Sequence, residues 1–190
     1  MTMPNVEYSR LLYASVLDWY KVADQKAQLI LGANGAFITV VTGLAFSNHS
    51  DLESITRAFD PLTWALLSAM AIAVVGSFVC ALSCLWSRTY SQSELENRVE
   101  SLGSARPPFR HFSPGAMWFF QLITTLDQNK FAEELATFNG EKEVLTLAVE
   151  IPQLSRNVVA KHRWVNYGFV LAGATPLLFL ASLASYIPNL

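Results

Sequence analysis

Apolar positions along the chain gather into three uncharged runs, residues 27–46, 62–86 and 164–187, joined by stretches in which apolar residues return at helical spacing. Each run matches the roughly 20 residues with which an α-helix crosses a bilayer's hydrocarbon at its small rise per residue. None contains a Lys, Arg, Asp or Glu. A helix that is apolar all round must be covered by protein or by lipid, and a chain of 190 residues has too little polar surface to wrap three of them. The pattern therefore predicts an all-α membrane protein with three transmembrane helices and a helical cytoplasmic region between the second and the third.

Between the runs the periodicity continues. Tyr8, Leu11, Leu12, Ser15, Trp19, Val22 and Ala23 fall at helical spacing and predict an amphipathic helix that runs on into the first span, its apolar face turned toward the cytoplasmic region. The segment after the second span stays helical in pattern to Gly103, where GSARPPFRHFSPG interrupts it with three prolines and two glycines. Two short helices follow, the second opening near Thr125 or Asp127 and ending at Asn139-Gly140. From Glu141, the stripe Val144, Leu147, Ala148, Ile151, Leu154 and Val158 predicts a helix that leads directly into the third span, kinked or restarted at Pro152.

Composition agrees with the membrane assignment: 52% of residues are hydrophobic and only 15% charged. The first 26 residues carry mixed charge in a helical pattern, unlike a cleaved leader, so the first span is expected to be retained. Lys and Arg number three before the first span, one between the first and second, nine from Arg88 to Arg163 and none after the third. Positive-inside bias then gives residues 1–26 as a cytoplasmic helix, 47–61 as a periplasmic loop, 87–163 as the cytoplasmic helical region and 188–190 as a periplasmic tail. Trp64, Trp86, Trp164 and Tyr186 fall at span ends, where amphipathic rings prefer the interface.

Candidate chemistry is sparse. No nucleophile elbow, zinc-binding helix or phosphate loop is present, His49, His111 and His162 are scattered, and no acid, base and nucleophile converge, so no catalytic residue, metal or cofactor is assigned and the chain is not expected to be an enzyme. Cys80 and Cys84 lie one helical turn apart inside the second run and suit packing better than half a metal site. In the first span Gly32, Gly35 and Asn34 place small residues and one amide among apolar neighbours, a combination that fits either glue within one subunit or the lining of an oligomeric pathway. Asp24 and Lys26, at the span's start, are two residues apart and should pair with other segments and not with each other. Asn166, Gly168, Ala172, Gly173 and Thr175 make a similar surface in the third span, with Pro176 as a kink. Phe109, Arg110 and Phe112 join cations to aromatic faces, which suits a phosphate and a base together, and Arg156 and Lys161 form a second basic group; either could instead meet anionic headgroups.

Nearly the whole chain resembles the Pycsar transmembrane effectors, bacterial antiphage proteins signalled by cyclic pyrimidine nucleotides. The likeness rests on D-x-K-A-x-x-x-L-G-x-N-G, here Asp24, Lys26, Ala27, Leu31, Gly32, Asn34 and Gly35. It continues in the turn Pro108, Phe109 and Arg110, the aromatic-rich segment from Trp118 to Leu122, the helix ending in Phe131 to Leu135, and Leu154, Ser155 and Lys161 before the last span. His162 departs from the aromatic residue that often follows this lysine in the family. The resemblance implies a homo-oligomeric inner-membrane effector with a cytoplasmic N-terminus, silent until a cognate cyclase makes cyclic CMP or cyclic UMP, that then impairs the membrane and causes abortive infection. Its partners would be that nucleotide, lipid and further copies of itself, with no nucleic acid polymer. The competing readings are a non-conducting anchor or scaffold that regulates a partner protein, and a small transporter, which three spans without repeated halves disfavour.

Overall fold

The structure, a computed structural model, describes residues 4–47, 56, 59–86 and 128–187. Among these no strand occurs, and four helices follow in order: α1 (Pro4–Ser47), α2 (Pro61–Leu85), α3 (Gln128–Ala136) and α4 (Gly140–Tyr186). α1, α2 and α4 are each long and apolar enough to cross a membrane. The chain divides into two compact units, Met1–Tyr20 with Ser87–Val158, and Lys21–Trp86 with Val159–Leu190.

Local sequence explains the helix starts. Asp60 is extended and its carboxylate accepts from the Thr63 backbone N–H at 2.7 Å, while Pro61 supplies a fixed φ at the first helical position of α2, where no donor is needed. Asn139 does the same for α4: its side-chain oxygen accepts from the Lys142 N–H at 2.9 Å and its carbonyl from Glu143 at 3.0 Å. The Asn139-Gly140 pair thus opens the next helix, whereas α3 already ends at Ala136. An asparagine at this point offers an acceptor to orphan N–H groups, which outweighs the stop signal of the glycine beside it. Pro152 likewise does not restart α4, which is one helix of 47 residues. Losing one backbone donor is tolerated where the turns on both sides continue the ladder.

In the first unit Val6 is buried, its methyl 3.1 Å from where a Cβ on Gly140 would stand, and Arg10 makes a two-pronged pair with Glu143, Nε to Oε1 at 2.5 Å and Nη2 to Oε2 at 2.8 Å. This bond from Arg10 holds the Glu143 carboxyl below its ordinary range. Of the predicted stripe on α4, Leu147 is buried, Val144, Ile151, Leu154 and Val158 are half-buried and Ala148 is exposed, while Thr146, outside the stripe, is buried. On α1 the expected inward face is met only in part: Ala23 is buried and Val22 half-buried, but the larger residues nearer the N-terminus are not. Tyr8, Leu11 and Trp19 are 68%, 62% and 59% exposed, while Val6 and the half-buried Tyr13 and Leu17 turn inward. Val6 packs over the bare Gly140 backbone, a close approach that a larger residue at 140 would crowd.

The second unit holds three helical segments around a core of Ala23, Ala27, Ile30, Ala81, Cys84 and Val165, all essentially inaccessible. Small residues dominate because the helices approach closely. A Cβ on Gly168 would stand 3.1 Å from Ile30 Cδ1, 3.3 Å from Cys80 Cβ and 3.7 Å from the Ser77 carbonyl. At one end Phe59 packs edge-on against Trp64 and Tyr186, with ring centroids 5.5 and 5.4 Å away, and Phe37 meets Phe179 in the same manner at 5.7 Å. The exposed Trp86 and Trp164 follow Trp64 on α2 and precede Tyr186 on α4 by twenty-two residues each.

Gly168→Val should therefore lower stability by about 1–3 kcal/mol, the range for overpacking a close contact. Gly173→Val, whose Cβ would meet nothing within 4 Å, should cost clearly less. Thermal unfolding of the two variants in detergent checks the contrast.

Candidate functional site

Three polar layers cross the apolar core of the second unit, and each joins segments distant in sequence. At the level where the first and third apolar runs begin, Lys161 Nζ donates to Asp24 Oδ1 at 2.5 Å. The pair is mostly enclosed, with side chains 14% and 29% exposed. Beside it the Cys84 thiol points at the Ala23 carbonyl, 3.7 Å away, and at the same Asp24 oxygen, 4.0 Å away. One carboxylate thus ties α1 to α4 and is approached from α2. A partly desolvated pair of this kind is strong while intact and costly to break on one side only.

Deeper in the core, Asn34 Nδ2 donates to Ser77 Oγ at 2.8 Å, and the Ser77 hydroxyl donates in turn to the Gly168 carbonyl at 3.0 Å. Asn34 is 3% exposed and Ser77 fully buried. An amide in hydrocarbon needs such an acceptor, and one bond here contributes about 0.6–2 kcal/mol. The chain of bonds runs α1 to α2 to α4, so it holds all three helices at one depth. Among the described residues no buried side-chain nitrogen or oxygen lacks a partner.

The third layer closes the far end. Asp60 Oδ1 accepts from the Thr63 hydroxyl at 2.5 Å and from Ser185 Oγ at 3.3 Å, and the Thr63 and Ser185 hydroxyl oxygens lie 3.0 Å apart. The Thr63 hydroxyl above all, then the Thr63 N–H, holds the Asp60 carboxyl below its ordinary value.

Of the residues singled out in the sequence, the structure brings Asp24 and Lys161 together and buries Asn34. Lys26 is half-buried and Arg156 exposed. Gly32 is exposed and Gly35 half-buried, and a Cβ on either would meet nothing within 4 Å. In α4, Gly168 and Thr175 are buried, Asn166 and Gly173 exposed, and Pro176 lies within the continuous helix. Phe109, Arg110 and Phe112 lie outside the described residues, as do Pro108 and the segment from Trp118 to Leu122. Sequence reasoning missed Ser77 and the Asp60–Thr63–Ser185 layer. The first is one of three serines in an apolar run, with nothing to mark which of them faces another helix; the second was visible as Asp-Pro-x-Thr at a helix start. No group of three or more His, Cys, Asp or Glu that could hold a metal occurs among the described residues.

A family model described as Pycsar effector protein domain matches residues 9–187. No curated protein and no solved structure matches the chain. Both members of the ion pair, and both partners of the central bonds to Ser77, fall inside the matched span.

Two expectations follow. Asp24→Asn should replace the ion pair with Lys161 by a weaker neutral contact and destabilise the protein by more than the ~1 kcal/mol of an exposed pair and less than the ~5 kcal/mol of a fully buried one. The exchange Asp24→Lys with Lys161→Asp should recover most of that loss in the same unfolding assay. The Asp60 carboxylate, with its folded value depressed, adds stability that is complete above the ordinary carboxylate range and disappears as pH falls through the lowered value. The stability gap between the parent and Asp60→Ala should accordingly narrow on acidification below about pH 4, as followed by unfolding at stepped pH.

Proposed function

The chain belongs to the Pycsar effector family, and from this premise we propose that it is a multi-pass inner-membrane antiphage effector switched on by a cyclic pyrimidine mononucleotide. Cyclic CMP or cyclic UMP from a cognate cyclase would be the signal, and loss of membrane integrity with abortive infection the outcome. The observation that carries this reading is the family match over residues 9–187 on a chain with three membrane-length helices. The distribution of Lys and Arg supports a cytoplasmic N-terminus and a cytoplasmic 87–163 region, which puts the nucleotide-binding side where a cyclase product accumulates.

Phe109, Arg110 and Phe112 are the residues we propose for the nucleotide. A cyclic mononucleotide carries one negative charge and one base, so a guanidinium can take the phosphate while a ring stacks on the base. Arg156 and Lys161 supply further positive charge on α4, and the Asp24 carboxylate already engages Lys161. Both α1 and α4 contain residues of the two units, so each offers a helical route by which binding could reach the spans. The core of a single bundle is closed by packed side chains and satisfied polar groups. Any leak must then follow from the bundle's opening or from passages between copies.

Purified protein in dye-filled liposomes provides the test, with a panel of cyclic nucleotides added outside. Cyclic CMP or cyclic UMP should release dye and cyclic purine nucleotides should not. Arg110→Ala should weaken the response roughly tenfold, the loss of one charge-assisted contact. Binding without release would instead indicate a non-conducting anchor, and neither binding nor release would refute the reading.

A further inference from the structure

We propose that the Asp24–Lys161 ion pair is an autoinhibitory latch: while intact it holds its end of the three-helix core shut, and its separation opens that end while the rest of the core stays packed. α1 passes from the first unit to the second between Tyr20 and Lys21, and α4 between Val158 and Val159. Asp24 and Lys161 are the fourth and third residues beyond those boundaries, about one turn along each helix. A displacement carried along either helix therefore meets the pair before it meets the Asn34–Ser77–Gly168 bonds.

The pair is suited to release in a way that the other polar layers are not. The Lys161 and Asp24 side chains are 14% and 29% exposed, so water reaches both charges once they part. Asn34 is 3% exposed and Ser77 fully buried, and separating them would strand an amide and a hydroxyl away from water. At the far end Asp60 takes its closest bonds from Thr63 in its own helix start, and these persist if the helices move apart.

Apolar packing does the least at this level. Toward the pair the core consists of Ala23, Ala27, Ala81 and Cys84, while Val165 and Ile30 lie a turn or more deeper. Such small side chains lose their few dispersion contacts after a slight separation. In the other direction α1 and α4 also meet through Phe37 and Phe179, with ring centroids 5.7 Å apart. What α2 adds beside the pair is the Cys84 thiol, a weak donor 4.0 Å from the same carboxylate oxygen, which does not replace an ammonium. The ion pair thus contributes most where the apolar core contributes least.

That the opening lets the membrane leak rests on the effector reading above; the opening itself is measured without nucleotide. Cys84, fully buried beside the pair, serves as reporter in a Cys80→Ala background. The full chain is reconstituted in liposomes with a charged maleimide on both faces, and dye release is followed in parallel liposomes. Labelling should be slow in the parent and roughly tenfold faster in Asp24→Asn and in Lys161→Met. The first substitution leaves a cation beside the thiol and the second an anion, so their direct effects on thiol reactivity are opposite and only opening accelerates both. The exchange Asp24→Lys with Lys161→Asp should return labelling to the parent's rate. Asp60→Ala, which loosens the opposite end, should label as the parent does. Parental rates in both single variants would overturn the proposal. Equal acceleration in the exchange variant or in Asp60→Ala would overturn it too, by marking a general loosening. Fast labelling with dye release would support the latch and the effector reading together, whereas fast labelling without dye release would support the latch and count against that reading.

Discussion

Inside hydrocarbon a polar group must find its partner within the protein, and the second unit depends on how the Ser77 hydroxyl meets this demand. It accepts from Asn34 and donates to the Gly168 carbonyl, so one side chain of α2 links α1 to α4. The link requires a bare backbone at 168. With Ile30 Cδ1 and Cys80 Cβ already close to that position, even one methyl would make its neighbours give way by a few tenths of an ångström. Glycine, serine and asparagine here form one device, and the small core residues Ala23, Ala27 and Ala81 follow from the same close approach.

The two ends of the unit are fastened by different chemistry suited to their surroundings. At the Asp24–Lys161 end the fastening is ionic and partly reached by solvent. At the Asp60 end it combines a helix cap with two hydroxyl groups, so the negative charge is met by donors and not by a cation. An ion pair can be weakened by another anion competing for the lysine, whereas a cap made of the chain's own hydroxyls has no equivalent rival. The first end is therefore the more responsive to charged solutes, and it is also where residues 24–35 of the motif that resembles the family begin.

Much of this was legible in the sequence because lipid imposes simple rules. The absence of charge in residues 27–46, 62–86 and 164–187 predicts three helices, and α1, α2 and α4 cover those runs. The separation of Asp24 from Lys26 indicated partners elsewhere, and Asp24 meets Lys161 across 137 positions. The rotational phase of the N-terminal part of α1 was not legible. The large residues Tyr8, Leu11 and Trp19 suggested one inward face, but all three are exposed and the smaller Val6 is buried over Gly140. Asn139-Gly140 misled for a related reason, since the same pair can stop one helix or cap the next, and only the chain beyond decides. The partner of Asn34 was likewise hidden, because a hydroxyl in an apolar run carries no directional mark.

The aromatic rings at the ends of α2 and α4 bear on bilayer thickness. Trp64 and Trp86, and again Trp164 and Tyr186, are separated by twenty-two residues, which at the helical rise corresponds to about 33 Å. Two helices of opposite direction thus carry the same ruler, slightly longer than an average hydrocarbon core of about 30 Å. A lone helix would absorb such a mismatch by tilting. Here polar bonds at three depths bind the helices to one another, so none can lean independently. In a thin bilayer the whole bundle must tilt as one body or the lipid around it must thicken, and acyl-chain length becomes a mechanical load on the same bonds that hold the bundle closed.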